Sequence, residues 1–251
     1  MTGPARILIA ILALAAGGLS SSPVAAGSLA VSPLKVELGD ASRTAALTLR
    51  NGSPESVVVQ AQVFLWEQQG GEDRLTETQD LIVSPVVFTL AGEGSQLLRV
   101  ALRRPVDPST ELSYRLVLQE VPQRSAPEFT GLAVTLRLSL PVFVQAGAET
   151  SPSIAWNAAA GPDGNLVVTA RNDGTAHLRL LGFEVAAEGN PADVLRQPVA
   201  SYVLPGQSRS WTLRAGTDSG NGPTLADGRR LQLTGLTDQG DIEAELALAG
   251  R

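Results

Sequence analysis

The sequence of 251 residues contains no cysteine. No disulfide can brace the chain, so its fold must rest on buried apolar surface alone. Histidine is nearly missing too, with His177 the single example. With no second imidazole or thiolate to join it, His177 is expected to be structural or exposed rather than a metal ligand. The chain has no nucleophile motif, no metal-ligand spacing and no Gly-rich phosphate loop, so neither an enzyme nor a cofactor is expected. Positive charge is not clustered: the net charge of -6 is spread along the chain. That distribution excludes a nucleic-acid-binding patch and an acidic disordered tail. There is no convincing amphipathic helical period. Beyond the first 26 residues, no apolar run is long enough for a membrane helix.

What the sequence does contain begins with an export signal. Arg6 precedes the apolar run Ile7 to Ala16, which has the length of a signal-peptide core and is too short to span a bilayer. The small residues of Val24-Ala25-Ala26 place cleavage after Ala26 and the mature start at Gly27. Residues 1–26 are therefore expected to be removed and the mature chain to be soluble. About 225 residues remain, enough for one large or two ordinary domains.

The mature chain has a period of two almost throughout. Segments such as Ala45 to Leu49, Val57 to Trp66, Gln96 to Leu102 and Tyr114 to Val121 are short and apolar on alternate positions. Turn residues separate them at Asn51-Gly52-Ser53-Pro54, Gln69-Gly70-Gly71 and Ala91 to Gly94. About seven strands precede residue 146, which suits an immunoglobulin-like sandwich. The pattern lapses over Gln145 to Pro152 and then resumes. A second set of about seven strands starts near Ser153, Leu166, His177, Val199, Ser208, Arg230 and Ile242. The expected fold class is all-β, with two immunoglobulin-like β-sandwiches in tandem over residues 27–146 and 147–251. One large β-barrel is the alternative, if the lapse is an ordinary loop. Trp66, Trp156 and Trp211 all fall on expected strands and are assigned to cores rather than to a sugar-stacking platform.

One segment exceeds what a small core needs. From Leu132 to Val144 the chain is apolar at every even position. As one strand it would extend roughly 40 Å. It is either a long core strand running into the linker or an edge whose apolar row serves another chain.

From Leu29 to Val144 the sequence resembles the amino-terminal domain of the PapD-like periplasmic pilus chaperones. The matching pieces are Ala30 to Leu38 as first strand, Leu47 to Asn51 as second, and Val59 to Val63 with Trp66 as third. Ile82-Val83-Ser84-Pro85 to Leu90, Gln96 to Val100, Tyr114 to Pro122 and the long strand follow in order. In the second half, Ser201 to Trp211 is similar to the branch serving archaic, spore-coat-U-type pili. The resemblance implies a periplasmic chaperone whose partners are pilus subunits and an outer-membrane usher, with no nucleic acid and no small-molecule substrate. Leu132, Val134, Leu136 and Leu138 would enter the groove of a subunit that lacks its last strand. Burying four such side chains contributes roughly 6–12 kcal/mol before ordering costs.

The resemblance also implies a cationic anchor for the subunit's terminal carboxylate, an Arg on the first strand and a Lys on the long one. Here those positions fall on Lys35 and near Pro141, so Arg115 and Arg99 become the candidate substitutes. The family's interdomain ion pair is incomplete as well: Glu120 is present, but its expected Arg partner is Gln145. A carbohydrate- or surface-binding module and a structural pilus subunit are the competing functions. The subunit would lack a strand, whereas this chain carries a surplus one.

Overall fold

The computed structural model describes residues 29–122, 134–147, 149–161, 164–187, 190–214 and 230–249. Ten strands lie in the first part: β1 (Leu29–Ser32), β2 (Val36–Leu38), β3 (Thr44–Asn51), β4 (Val57–Gln69), β5 (Glu72–Glu77), β6 (Leu81–Ser84), β7 (Val87–Leu90), β8 (Ser95–Leu102), β9 (Leu112–Val121) and β10 (Arg137–Val144). They form a sheet ordered β1-β3-β8-β6 and another ordered β2-β10-β9-β4-β5, with β7 also pairing β4. Alternate side chains from both sheets meet in one core that includes Val36, Leu49, Leu98, Leu116, Leu118 and Val142.

The second part holds β11 (Ile154–Ala160), β12 (Leu166–Asn172), β13 (Leu178–Ala187), β14 (Asn190–Val203), β15 (Ser208–Leu213), β16 (Arg230–Thr237) and β17 (Gly240–Ala249). The run β14-β13-β16-β17 joins β11-β12-β15 through a short parallel contact between β17 and β11. A separate core fills the space between them, with Leu180, Val185, Leu233 and Trp211 among its members. Trp156 packs beside Trp211 and Phe183 there, the core placement expected for those two tryptophans.

Both halves anchor a turn with a buried asparagine. Asn51, at the end of β3, donates to the carbonyls of Glu55 and Ala91 and accepts from the Ser53 N–H. Asn172, at the end of β12, donates to Ala176 and Val203 and accepts from Ser153 and Gly174. Each amide does the work of a missing peptide group, which is what makes its burial affordable.

Two expected strands differ from the structure. Ala30 to Leu38 is not one strand but two, β1 in one sheet and β2 in the other. The ladder with β3 ends at Ser32, because Pro33 has no N–H with which to extend it. The long strand is also shorter than its apolar pattern: β10 starts at Arg137, and residues 134–136 precede it outside the ladder. The partner strand sets this limit. The Glu120 N–H donates to the Leu136 carbonyl at 2.9 Å, and two residues on, the donor facing Val134 would be Pro122, which has none.

Candidate functional site

The geometry of β10 follows from its ladder with β9. The Glu120 N–H donates to the Leu136 carbonyl just ahead of the ladder, so even-numbered residues of β10 direct their N–H and C=O toward β9 and odd-numbered ones direct them away. On the far side β2 covers only Val142 to Val144, in parallel. The Gln145 N–H donates to the Leu38 carbonyl there, in keeping with the odd-outward alternation. Arg137 and Ser139 therefore present their backbone groups on an edge that is unpaired among the described residues. Pro141 sits at an outward position as well, where a missing N–H interrupts nothing.

The even-numbered side chains grade from core to solvent. Val144, Val142 and Leu140 are buried in the first core, and Leu138 packs half-buried against it. Leu136 is half-buried and Val134 is 70% exposed. Leu132 lies outside the described residues. Of the four residues assigned to a partner's groove, Leu138 is thus shared with the chain's own core, and Val134 is free of it.

Two of the three candidate cations flank the buried Pro141. Arg115 is its direct partner on β9. Lys35 lies one residue ahead of β2, where the parallel register Val36 to Val142 places it beside Pro141 on the other flank. Odd-numbered residues of β10 face the second domain, so both cations border the cleft between the halves. The Arg115 guanidinium stacks 3.6 Å from the centre of the Trp66 ring and 5.8 Å from that of Tyr202. Burial lowers its pKa from the usual guanidinium value, and among the described residues no carboxylate pairs with it. Lys35 Nζ lies 2.8 Å from Glu37 Oε1. The hydrogen bond to that carboxylate raises its pKa, and Asp238 across the cleft adds to the effect.

Arg99 is not part of this arrangement. It lies exposed on β8, between Ala46 and Ser84 in the opposite sheet. Its neighbours Leu98 and Val100 point into the core, so Arg99 points outward, away from the cleft. Its assignment as a carboxylate anchor is corrected on that ground. Glu120, without the arginine expected near the linker, instead accepts the Leu136 N–H at 3.1 Å and braces the base of the free segment.

The odd face of β10 carries a residue that the pattern of two passes over. Phe143 is fully buried against Trp66, Leu204 and Tyr202. His177 stacks on it with ring centroids 3.6 Å apart. His177 Nδ1 lies 2.7 Å from Glu111 Oε1, which also accepts the His177 backbone N–H. Gln68 bridges the halves at the same interface: its side chain donates to the Tyr202 carbonyl at 2.7 Å and accepts from the Leu204 N–H at 3.1 Å. Arg209 Nη1 completes the contact, 2.6 Å from Asp73 Oδ1. Trp66, expected in a core, is 2% exposed at this junction between cores. The available signal was Phe143 itself, a large aromatic on the face opposite an apolar row, which marks a strand covered on both sides.

Residues 28–146 match the family model described as pili and flagellar-assembly chaperone, PapD N-terminal domain. Sequence comparison with curated proteins finds no match. Several solved structures share the fold. A chain from the CsuC-CsuE chaperone-tip adhesion subunit pre-assembly complex of Acinetobacter baumannii archaic Csu pili is 18% identical, with a TM-score of 0.65 over 88% of this chain and 99% of that one. The Pseudomonas aeruginosa CupB2 chaperone is 18% identical, with a TM-score of 0.53 over 88% and 100%. A chain from the Salmonella enterica SafA pilin-SafB chaperone complex is 16% identical, with a TM-score of 0.56 over 88% and 96%. At these identities the likeness is one of fold.

Proposed function

We propose that this chain, whose residues 28–146 match the PapD-type amino-terminal domain, is a pilus-assembly chaperone that binds subunits by donor-strand complementation. The observation that carries the reading is β10. Among the described residues its backbone edge is unpaired at Arg137 and Ser139, and its apolar row leads out of the core to exposed Val134. An added strand of a subunit would pair with that edge while Leu132, Val134 and Leu136 fill the subunit's groove and Leu138 spans the boundary. The subunit's terminal carboxylate would be held at the cleft by Lys35 and Arg115, which flank the buried Pro141. A proline serves here because both charges come from the strands on either side.

The same reading extends to the chain's route and limits. Residues 1–26 act as a cleaved export signal, the mature protein works in the periplasm, and an outer-membrane usher receives the complex. Residues 27–146 and 147–251 act as two domains, the first carrying the donor strand. Binding alone does the work, with no cofactor. A carbohydrate platform is disfavoured by the burial of Trp66 and Trp211. The test is to refold a pilus subunit with the purified mature chain in chelator and without nucleotide. A soluble one-to-one complex is expected, and a strict nucleotide requirement would falsify the mechanism.

A further inference from the structure

The second domain has an opening of its own, on the side where its two runs of strands meet. β11 and β17 pair only at Ala158 with Leu248 and Ala159 with Ala249. Upstream of that contact they diverge, and each leaves an edge unpaired among the described residues. The hairpin pair Thr237 and Gly240 closes a two-residue turn, so even-numbered residues of β17 bond to β16. Asp241, Glu243 and Glu245 therefore direct their backbone N–H and C=O to the open side. Across the gap, Asp173 donates to the Ser153 carbonyl, which leaves the backbone groups of Ile154 and Trp156 facing the same space.

The slot between these edges has a volume of about 390 Å³ and an apolar lining of Pro152, Ile154, Trp156, Leu178, Ile242 and Ala244. Its rim is charged with one sign. The side chains of Asp241, Glu243 and Glu245 are exposed on the outer face of β17, about 7 Å from one to the next. Their cross-strand neighbours are Leu236, Thr234 and Gln232, and none of the three carboxylates joins an ion pair among the described residues. Three like charges in a row, with Arg230 diagonal to Glu245 alone and paired to none of them, repel one another until something neutralises them.

We propose that this slot is a second strand-addition site, and that it takes an extended segment of another polypeptide in which apolar residues alternate with Lys or Arg. A strand added to the β17 edge would turn every second side chain inward, onto Trp156 and Ile242, and the others outward, beside the acidic row. The pattern of the partner follows from the two faces: apolar within, cationic without. The chain's own segment 215–229 does not supply this match, since it carries Asp218 and Asp227 against Arg229.

The site is separate from β10, so it can be tested whatever becomes of the chaperone reading. The probe is a short synthetic peptide alternating valine with lysine, with a valine/glutamate peptide as control, each titrated onto the full mature chain. The lysine peptide should bind, weaken with salt, and protect the amides of 241–245 from hydrogen exchange. The variant Asp241→Asn/Glu243→Gln/Glu245→Gln keeps the strand and removes the charge, and should bind roughly tenfold more weakly. Absence of binding, equal binding of the glutamate peptide, undiminished binding by the triple variant, or protection confined to 137–140 would each overturn the proposal. So would amides of 241–245 already protected in the free monomer, which would mean that the chain fills its own slot.

Discussion

Pro141 lies directly across the β9–β10 ladder from Arg115, on the face of the sheet turned toward the second domain. Proline offers no charge and is itself buried, so the charge on this face comes from the cations on its two flanks. Lys35→Ala and Arg115→Ala should each weaken subunit capture by about 10- to 150-fold, the cost of losing one charge-assisted hydrogen bond. Arg99→Ala should leave capture unchanged. Titration of a subunit, with folding followed by circular dichroism, checks all three. Equal binding by the Lys35 and Arg115 variants would place the carboxylate elsewhere.

Phe143 ties the candidate donor strand to the second domain through Trp66, Tyr202 and the stacked His177. Phe143→Ala should destabilise the protein by about 3–5 kcal/mol, as buried aromatics do when truncated. Gln68→Leu should also destabilise it, because the Leu204 N–H and the Tyr202 carbonyl lose their side-chain partner. Denaturant unfolding monitored by tryptophan fluorescence reads both changes. A wild-type midpoint for Phe143→Ala would mean that the two halves do not depend on this contact.

Alkaline stability should report on Tyr114. Its hydroxyl donates to Asp80 Oδ2 at 2.9 Å, where Arg104 also bonds. Burial, reinforced by the Asp80 carboxylate, raises the phenol pKa above its ordinary value near 10. The folded state therefore holds this proton where the unfolded chain releases it. The resulting stability is complete below about pH 10 and is lost as the pH rises beyond it. Tyr114→Phe should be less stable at neutral pH by about 1 kcal/mol and should lose less stability above pH 10. Urea midpoints measured from neutral to alkaline pH give the comparison. An unchanged alkaline slope would contradict it.

Much of this architecture was legible in the alternation of apolar residues. The strands expected from Leu166, His177, Ser208, Arg230 and Ile242 all exist within a few residues of those positions, because each buries one face and a period of two is all that requires. Strand ends were less legible where they depend on a partner. Nothing in Leu132 to Leu136 says that pairing must stop, since the limit is set by Pro122 on the neighbouring strand. The break after Ser32 was visible only as Pro33. Of the three candidate cations, position along the strands put two, Lys35 and Arg115, beside Pro141. Arg99 was misplaced because a one-dimensional pattern assigns a residue to a face but not to one sheet rather than the other. The contacts of Gln68 and Glu111 with the second domain span sequence separations that no local pattern records.

The central claim is that the apolar row beyond Leu138 serves a partner and not the chain's own core. Subunit binding by Val134→Glu and Leu136→Glu, set beside their folding by circular dichroism, tests it most directly. Both variants should fold and fail to bind, because a charge in the subunit's apolar groove would have no partner there. Thr135→Glu, on the opposite face, should bind far better than either, and Leu140→Glu should unfold the protein. If Val134→Glu and Leu136→Glu unfold the isolated chain, or fold and still capture subunit, the donor-strand assignment of β10 is wrong.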